Sequence, residues 1–251
     1  MKKILTLTAA LMVFGAAASM AQSGLNLNWN SCVGDGRVTG ATFACTSNTG
    51  AAFGAYASIV LPTDLTAFAA TTAIVDVGFT GSAIPAWWQT GTGQCRAGSV
   101  SFSADPNTIT NGGAGGCLDI WGGSAQVLGV FQPQPSVHGL PNELRLNGGA
   151  AIPAGTEIAW AADGSELVVA KFTINRAKTT GTGNCAGCTT GACLTLNECF
   201  VQQPNPLPGY RVQNAAAPGS NFITFQSGAP ACPSATPSQN RTWGAVKNLY
   251  R

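Results

Sequence analysis

Apolar and polar residues alternate along most of this chain. Leu25, Leu27 and Trp29 alternate with Asn26, Asn28 and Asn30, which predicts a half-buried strand with a polar ladder on its outer face. Phe53, Ala55, Ala57 and Ile59 mark a second strand over 52–61, closed by Pro62-Thr63-Asp64. A third, over 70–81, turns Ala73, Val75, Val77 and Phe79 inward and Thr72, Asp76 and Thr80 outward. Shorter strands are predicted over 99–103, 127–132, 143–147, 157–161 and 221–226. The clearest stretch is 165–202. One alternating run enters it over 167–176, a Gly/Thr/Cys-rich excursion follows, and a second run leaves it over 194–201. It reads as two strands joined by a disulfide-stapled loop.

About ten short strands with frequent turn signals and no long helical period predict an all-β fold, an antiparallel β-sandwich of jelly-roll or cohesin-like type. No repeat or linker divides the chain, so one domain is expected over 22–234. Residues 235–251 change character. Thr242 can cap a short helix in which Trp243, Val246 and Tyr250 fall within about 60° of one another. So short a helix does not persist alone in water. The expectation is that it docks on its own sandwich, with Cys232 anchoring the approach. The rival is a sorting or partner-docking signal.

The first residues add a compartment. Lys2 and Lys3 precede an apolar run over 4–18, and Ser19-Met20-Ala21 offers small residues at a cleavage site. This predicts a signal peptide over 1–21, cleaved after Ala21, and a secreted product. The run is too short for a transmembrane anchor. The chain has 12 Lys+Arg against 10 Asp+Glu, and Lys2 and Lys3 account for the whole excess. A neutral mature chain with scattered cations argues against nucleic acid or anionic membrane as partner. A charged fraction of 9% leaves the surface to Gly, Ser, Thr, Asn and Gln.

Nine cysteines in an exported chain read as disulfides, with one left over. Cys32 and Cys45 bracket one turn and Cys95 and Cys117 one loop, so each pair is expected to close locally. Cys185, Cys188 and Cys193 share a loop, and Cys232 is expected to pair with one of them. A zinc site would want two separated pairs or a histidine partner, and neither is present near this loop. Haem attachment needs a histidine where Thr189 stands. No metal and no cofactor is expected.

Candidate catalytic chemistry is sparse. His138 is the one histidine and sits in a Pro/Gly-rich loop without a nucleophile elbow. The ten carboxylates are dispersed, so nothing in the spacing marks a glycosidase pair. Trp87, Trp88 and Trp121 lie in or beside loops, where exposed rings would form a platform for stacking sugars. The alternative for each is a buried anchor.

The closing TWGAVKNLYR, the central VVAKFTINRAKTTGTGNCAGCTTGACLTLN and the AIPAWW segment resemble an uncharacterised family of secreted bacterial proteins that end in a TWGxVKxLYR box. That family carries a non-cysteine at the position of Cys199, so the resemblance implies that Cys199 is the unpaired thiol. Alternation places Cys199 beside Val201 and away from Leu194 and Leu196. The strand order also resembles the cohesin and carbohydrate-binding sandwich group, an analogy of fold alone. The expected function is therefore a non-enzymatic secreted module, binding a glycan or a surface protein or serving as structure. The alternatives are a self-assembling surface or matrix protein and a secreted carbohydrate-active hydrolase.

Overall fold

The computed structural model describes residues 23–105, 117–123, 128–226 and Cys232. The expected signal peptide and C-terminal helix lie outside the described residues. The chain forms β1 (Gly24–Trp29), β2 (Gly40–Ala41), β3 (Phe53–Val60), β4 (Leu65–Phe68), β5 (Ala70–Phe79), β6 (Val100–Ser103) and β7 (Cys117–Asp119). It continues with β8 (Leu128–Pro135), β9 (Glu143–Ala151), β10 (Ile158–Trp160), β11 (Glu166–Ile174), β12 (Ala192–Gln202), β13 (Tyr210–Val212) and β14 (Phe222–Phe225). This is a β-sandwich. The smaller sheet runs β1-β3-β11-β6, with β7 parallel to β11. The larger runs β2-β14-β12-β5-β9-β8, with β13 also on β12. A two-stranded β4–β10 sheet closes one end.

The inward residues follow the alternation. Leu25, Leu27, Ala55, Ala57, Ile59, Phe172 and Ile174 of the smaller sheet are each 0% exposed, as are Ala73, Val77, Leu146, Leu194 and Leu196 of the larger. Each fully buried aliphatic or aromatic side chain contributes roughly 1.5–3 kcal/mol. The strands β11 and β12 that flank the central loop belong to opposite sheets, so that loop crosses the sandwich and is not a hairpin.

Asn26 and Asn28 of the expected outer ladder are buried, not solvated, and Asn30 alone is exposed. Asn28 is 0% exposed, and its Nδ2 donates to the carbonyls of Cys32 at 3.0 Å and Gly36 at 3.1 Å. Its Oδ1 accepts from Val38 N. The amide thus replaces backbone partners for the 31–38 loop, which folds over the strand. Asn26 donates to Glu166 at 3.2 Å.

The four disulfides correct the local scheme. Cys32 bonds Cys117, Cys45 bonds Cys188, Cys95 bonds Cys185 and Cys193 bonds Cys232. The expected pairs Cys32–Cys45 and Cys95–Cys117 do not form. Between Cys32 and Cys45 the chain passes through β2, which pairs with β14 of the other sheet and carries Cys45 to the Cys188 loop. The Cys185–Cys188 loop is tied by two bonds to two different loops.

One close approach decides a glycine. A Cβ on Gly148 would stand 2.1 Å from the Phe102 ring, which packs edge-on against Phe172. Overpacking of this kind costs about 1–3 kcal/mol. Gly148→Ala is expected to lower the unfolding free energy measured in urea by that amount, and Phe102→Leu in the same chain to recover part of it. Equal stability of Gly148→Ala and the parent would show that the ring moves freely.

The outer face of the larger sheet as candidate functional site

The register of β12, β5, β9 and β8 aligns their outward residues in rows. Thr195, Asp76, Arg145 and Gln134 form one row. Glu198, Ile74, Asn147 and Gln132 form the next, and Phe200, Thr72, Gly149 and Val130 the third. A β-bulge between Leu196 and Glu198 inserts Asn197 into β12. The extra residue turns Asn197 outward beside the first row.

The first row holds a connected polar network. Arg145 grips Asp76 with two bonds, Nε to Oδ1 and Nη2 to Oδ2, both 2.8 Å. Asn197 Nδ2 donates to the same Oδ2 at 2.7 Å. Asp76, with Glu143 and Glu198 nearby, holds the Arg145 guanidinium above its ordinary pKa. Arg145 Nη2 lies 3.3 Å from His138 Nε2, and His138 Nδ1 lies 3.2 Å from Glu143 Oε2. Guanidinium only donates, so Nε2 accepts and the imidazole proton sits on Nδ1, facing Glu143. Both ring nitrogens are engaged, and neither faces a hydroxyl or thiol nucleophile. His138 and Ser136 reach this arrangement through left-handed backbone, φ 55 and 57. One row on, Glu198 accepts from Arg211 and from Gln213 Nε2, and Arg211 lies over the Phe200 ring at 4.5 Å.

Trp87, Trp88 and Trp121 are elsewhere and are each 0% exposed, which corrects the stacking platform expected of them. Trp87 stacks on Phe225 at 5.3 Å and donates from Nε1 to Thr179. Trp88 packs against Phe79 and Phe225, and Trp121 against Phe68 with its Nε1 bonded to the Val169 carbonyl. Their loops fold back over the sandwich, so the rings close the core.

Cys199 is the free thiol among the described cysteines. It shares a face with Val201 as expected, but the expected opposition to Leu194 and Leu196 is wrong. The bulge at Asn197 shifts the alternation by one residue, so Cys199 shares the core face with Leu194 and Leu196 and is 0% exposed. Burial, with Glu198 adding negative charge, pushes the thiol far above its ordinary pKa. The native chain is therefore expected to resist iodoacetamide at pH 8 and to take up one equivalent on unfolding. Stoichiometric labelling without unfolding would contradict this placement.

Other clusters resolve into structure. Cys32 Sγ, Cys117 Sγ and an Asp35 oxygen lie within 4.8 Å of one another, but the two sulfurs are bonded to each other. Asp119 accepts from Trp121 N and Gly123 N, Asp163 from Ser165 N, Glu157 from Gly155 N and Asp64 from Ala162 N. Burial outweighs those bonds at Asp119 and raises its pKa.

Sequence reasoning missed the Asp76–Arg145–Asn197 set and read His138 as a plain loop residue. The available signal was a charge at an outward, mid-strand position in each of two strands, but only the register shows that they are neighbours. No protein-family model, no curated protein and no solved structure matches this chain.

Proposed function

We propose that this is a secreted, non-enzymatic β-sandwich module that binds a glycan or a surface protein through the outer face of its larger sheet. The observation that carries the reading is the Asp76–Arg145–Asn197–His138–Glu143 network. It fixes polar groups on central strands of a rigid sheet, so little ordering remains to be done when a ligand arrives. The four disulfides support an oxidising, extracytoplasmic setting. Cleavage after Ala21 and membership of the TWGxVKxLYR family belong to the same proposal.

Two features weigh against the self-assembling alternative. Cys199 is sealed in the core and cannot bridge chains without unfolding. The β8 edge is also guarded. Ser136 N donates to Glu143 of β9, so alternate residues 134, 132 and 130 face β9 and residues 135, 133 and 131 face the open edge. Pro135 and Pro133 offer no N–H there, which blocks strand addition.

The test is a glycan and peptide array probed with the mature chain and with Gln132→Ala/Gln134→Ala/Asn147→Ala. The expected result is hits that the triple variant loses at least tenfold while its melting temperature is unchanged. Hits indifferent to the variant would place recognition elsewhere, and turnover of an arrayed glycan would make the chain a hydrolase.

A further inference from the structure

The charges on the outer face of the larger sheet are answered within it. Arg145 closes on Asp76 through Nε and Nη2, and His138 turns Nδ1 to Glu143. Arg211 pairs with Glu198 and covers the Phe200 ring. A charged ligand would have to break one of these contacts to find a partner. Hydrogen bonds to charged groups contribute about 1.5–3 kcal/mol each, so that exchange gains little.

What stays open lies on β5, β9 and β8, beside that network. Thr72, Asn147, Gln132 and Gln134 point outward there, and their side chains hydrogen-bond to no described residue. Each amide offers a carbonyl acceptor and an NH2 donor, and the Thr72 hydroxyl does both. Half-buried Ile74 and 77%-exposed Val130 flank them. Gly149 puts no side chain between Thr72 and Val130, and the nearest atoms a Cβ there would meet are Thr72 Oγ1 at 3.3 Å and the Thr71 carbonyl oxygen at 3.5 Å. Size separates the candidate partners. Two rows on three strands cover about 14 Å by about 14 Å, roughly 200 Å². A stable protein interface takes about 800 Å² from each partner. A few sugar rings fit the smaller area. Their hydroxyls both donate and accept, as amides require, and their C–H faces can lie on Ile74, Gly149 and Val130.

We propose that the outer face takes an uncharged glycan, its hydroxyls on Thr72, Asn147, Gln132 and Gln134 and its ring faces over Gly149 and Val130. This deepens the proposed function and rests on it. It sets aside anionic sugars, cationic sugars and a protein partner.

The test is isothermal titration of the mature chain, disulfides intact, with hexamers of glucose, N-acetylglucosamine, glucosamine and mannuronic acid in one linkage. The first two are uncharged, the third is cationic and the fourth anionic. The expected result is that an uncharged hexamer binds at least tenfold more tightly than either charged one. Its affinity should change less than twofold between about 20 and about 500 mM NaCl, a range that shortens the reach of exposed charges severalfold. Asn147→Asp keeps the shape and removes the donor, so it should weaken that binding at least fivefold at unchanged melting temperature. Tighter binding of a charged hexamer, lost in Gln132→Ala/Gln134→Ala/Asn147→Ala, would overturn the inference and leave the face as the recognition surface. A protein ligand lost in the same variant would do likewise. Failure of both uncharged hexamers to bind would overturn it too. Binding that ignores both variants would overturn the inference and the proposed function together.

Discussion

Glu166→Ala will lower the stability of the mature chain by about 4 kcal/mol, because hydrogen bonds to a buried charged acceptor contribute about 1.5–3 kcal/mol each. Glu166 sits on β11, 8% exposed, where it gathers three elements. It accepts from Gly34 N at 2.7 Å and Val33 N at 3.2 Å, from Asn26 Nδ2 at 3.2 Å and from Ser58 Oγ. These donors belong to the 33–35 turn, β1 and β3. Alanine leaves the buried Asn26 and Ser58 without this acceptor and releases the amides of the 33–35 turn. The Glu166→Gln variant keeps one carbonyl oxygen but turns an NH2 group toward donors, so it should recover only part of the loss. For a chain of this size the alanine variant should melt about 10 °C lower under non-reducing conditions. A shift of less than about 2 °C would mean that the 31–38 loop is held by Cys32–Cys117 alone.

Arg96→Ala is the second large effect. Arg96 is 1% exposed, and all three of its hydrogen-bond partners among the described residues are backbone carbonyls. Its Nε and Nη1 donate to the carbonyls of Ala177 and Trp87, each at 2.7 Å, and Nη2 donates to Asn175. The guanidinium lies 3.6 Å from the Trp87 ring centroid. Burial lowers its pKa to about 10, so it stays cationic at neutral pH. One planar fork thus joins the 84–98 loop to the end of β11, beside Cys95–Cys185. Losing those bonds and the ring contact should cost about 3–5 kcal/mol. Arg96→Lys should lose nearly as much, because a single ammonium cannot reach three divergent carbonyls and stack as well. Calorimetry decides it: lysine behaving as the parent would show that charge, not the fork, holds the loop.

The strands were legible because most alternate over five or more residues. All ten predicted segments carry strands, β1, β3, β5, β6, β8, β9, β10, β11, β12 and β14. The missed strands β2, β4, β7 and β13 are two to four residues long, too short to show a period. The errors have local causes. One inserted residue at Asn197 reversed the face of Cys199. Asn26 and Asn28 read as solvated because sequence does not show that a loop will lie on them and use their amides. Cys45 and Cys117 lie near Cys32 and Cys95 along the chain, but β2 carries Cys45 to the other sheet, and β7 runs beside the start of β11, away from the β6 end, and places Cys117 at Cys32. Tryptophan in a loop carries no sign of whether that loop turns outward or folds back over the core. The polar network was invisible for a related reason: Asp76 and Arg145 are 69 residues apart and become neighbours only through the β5–β9 register.

The account turns on the outer face of the larger sheet as the recognition surface. The most direct measurement is amide and side-chain NMR of the isotopically labelled mature chain, titrated with the strongest ligand from the array. The expected result is that shifts concentrate on Gln132, Gln134, Asn147, Arg145 and Asn197 and leave the β1 and β3 amides of the smaller sheet in place. Shifts centred on the smaller sheet, or on the loops around Trp87 and Trp121, would contradict it.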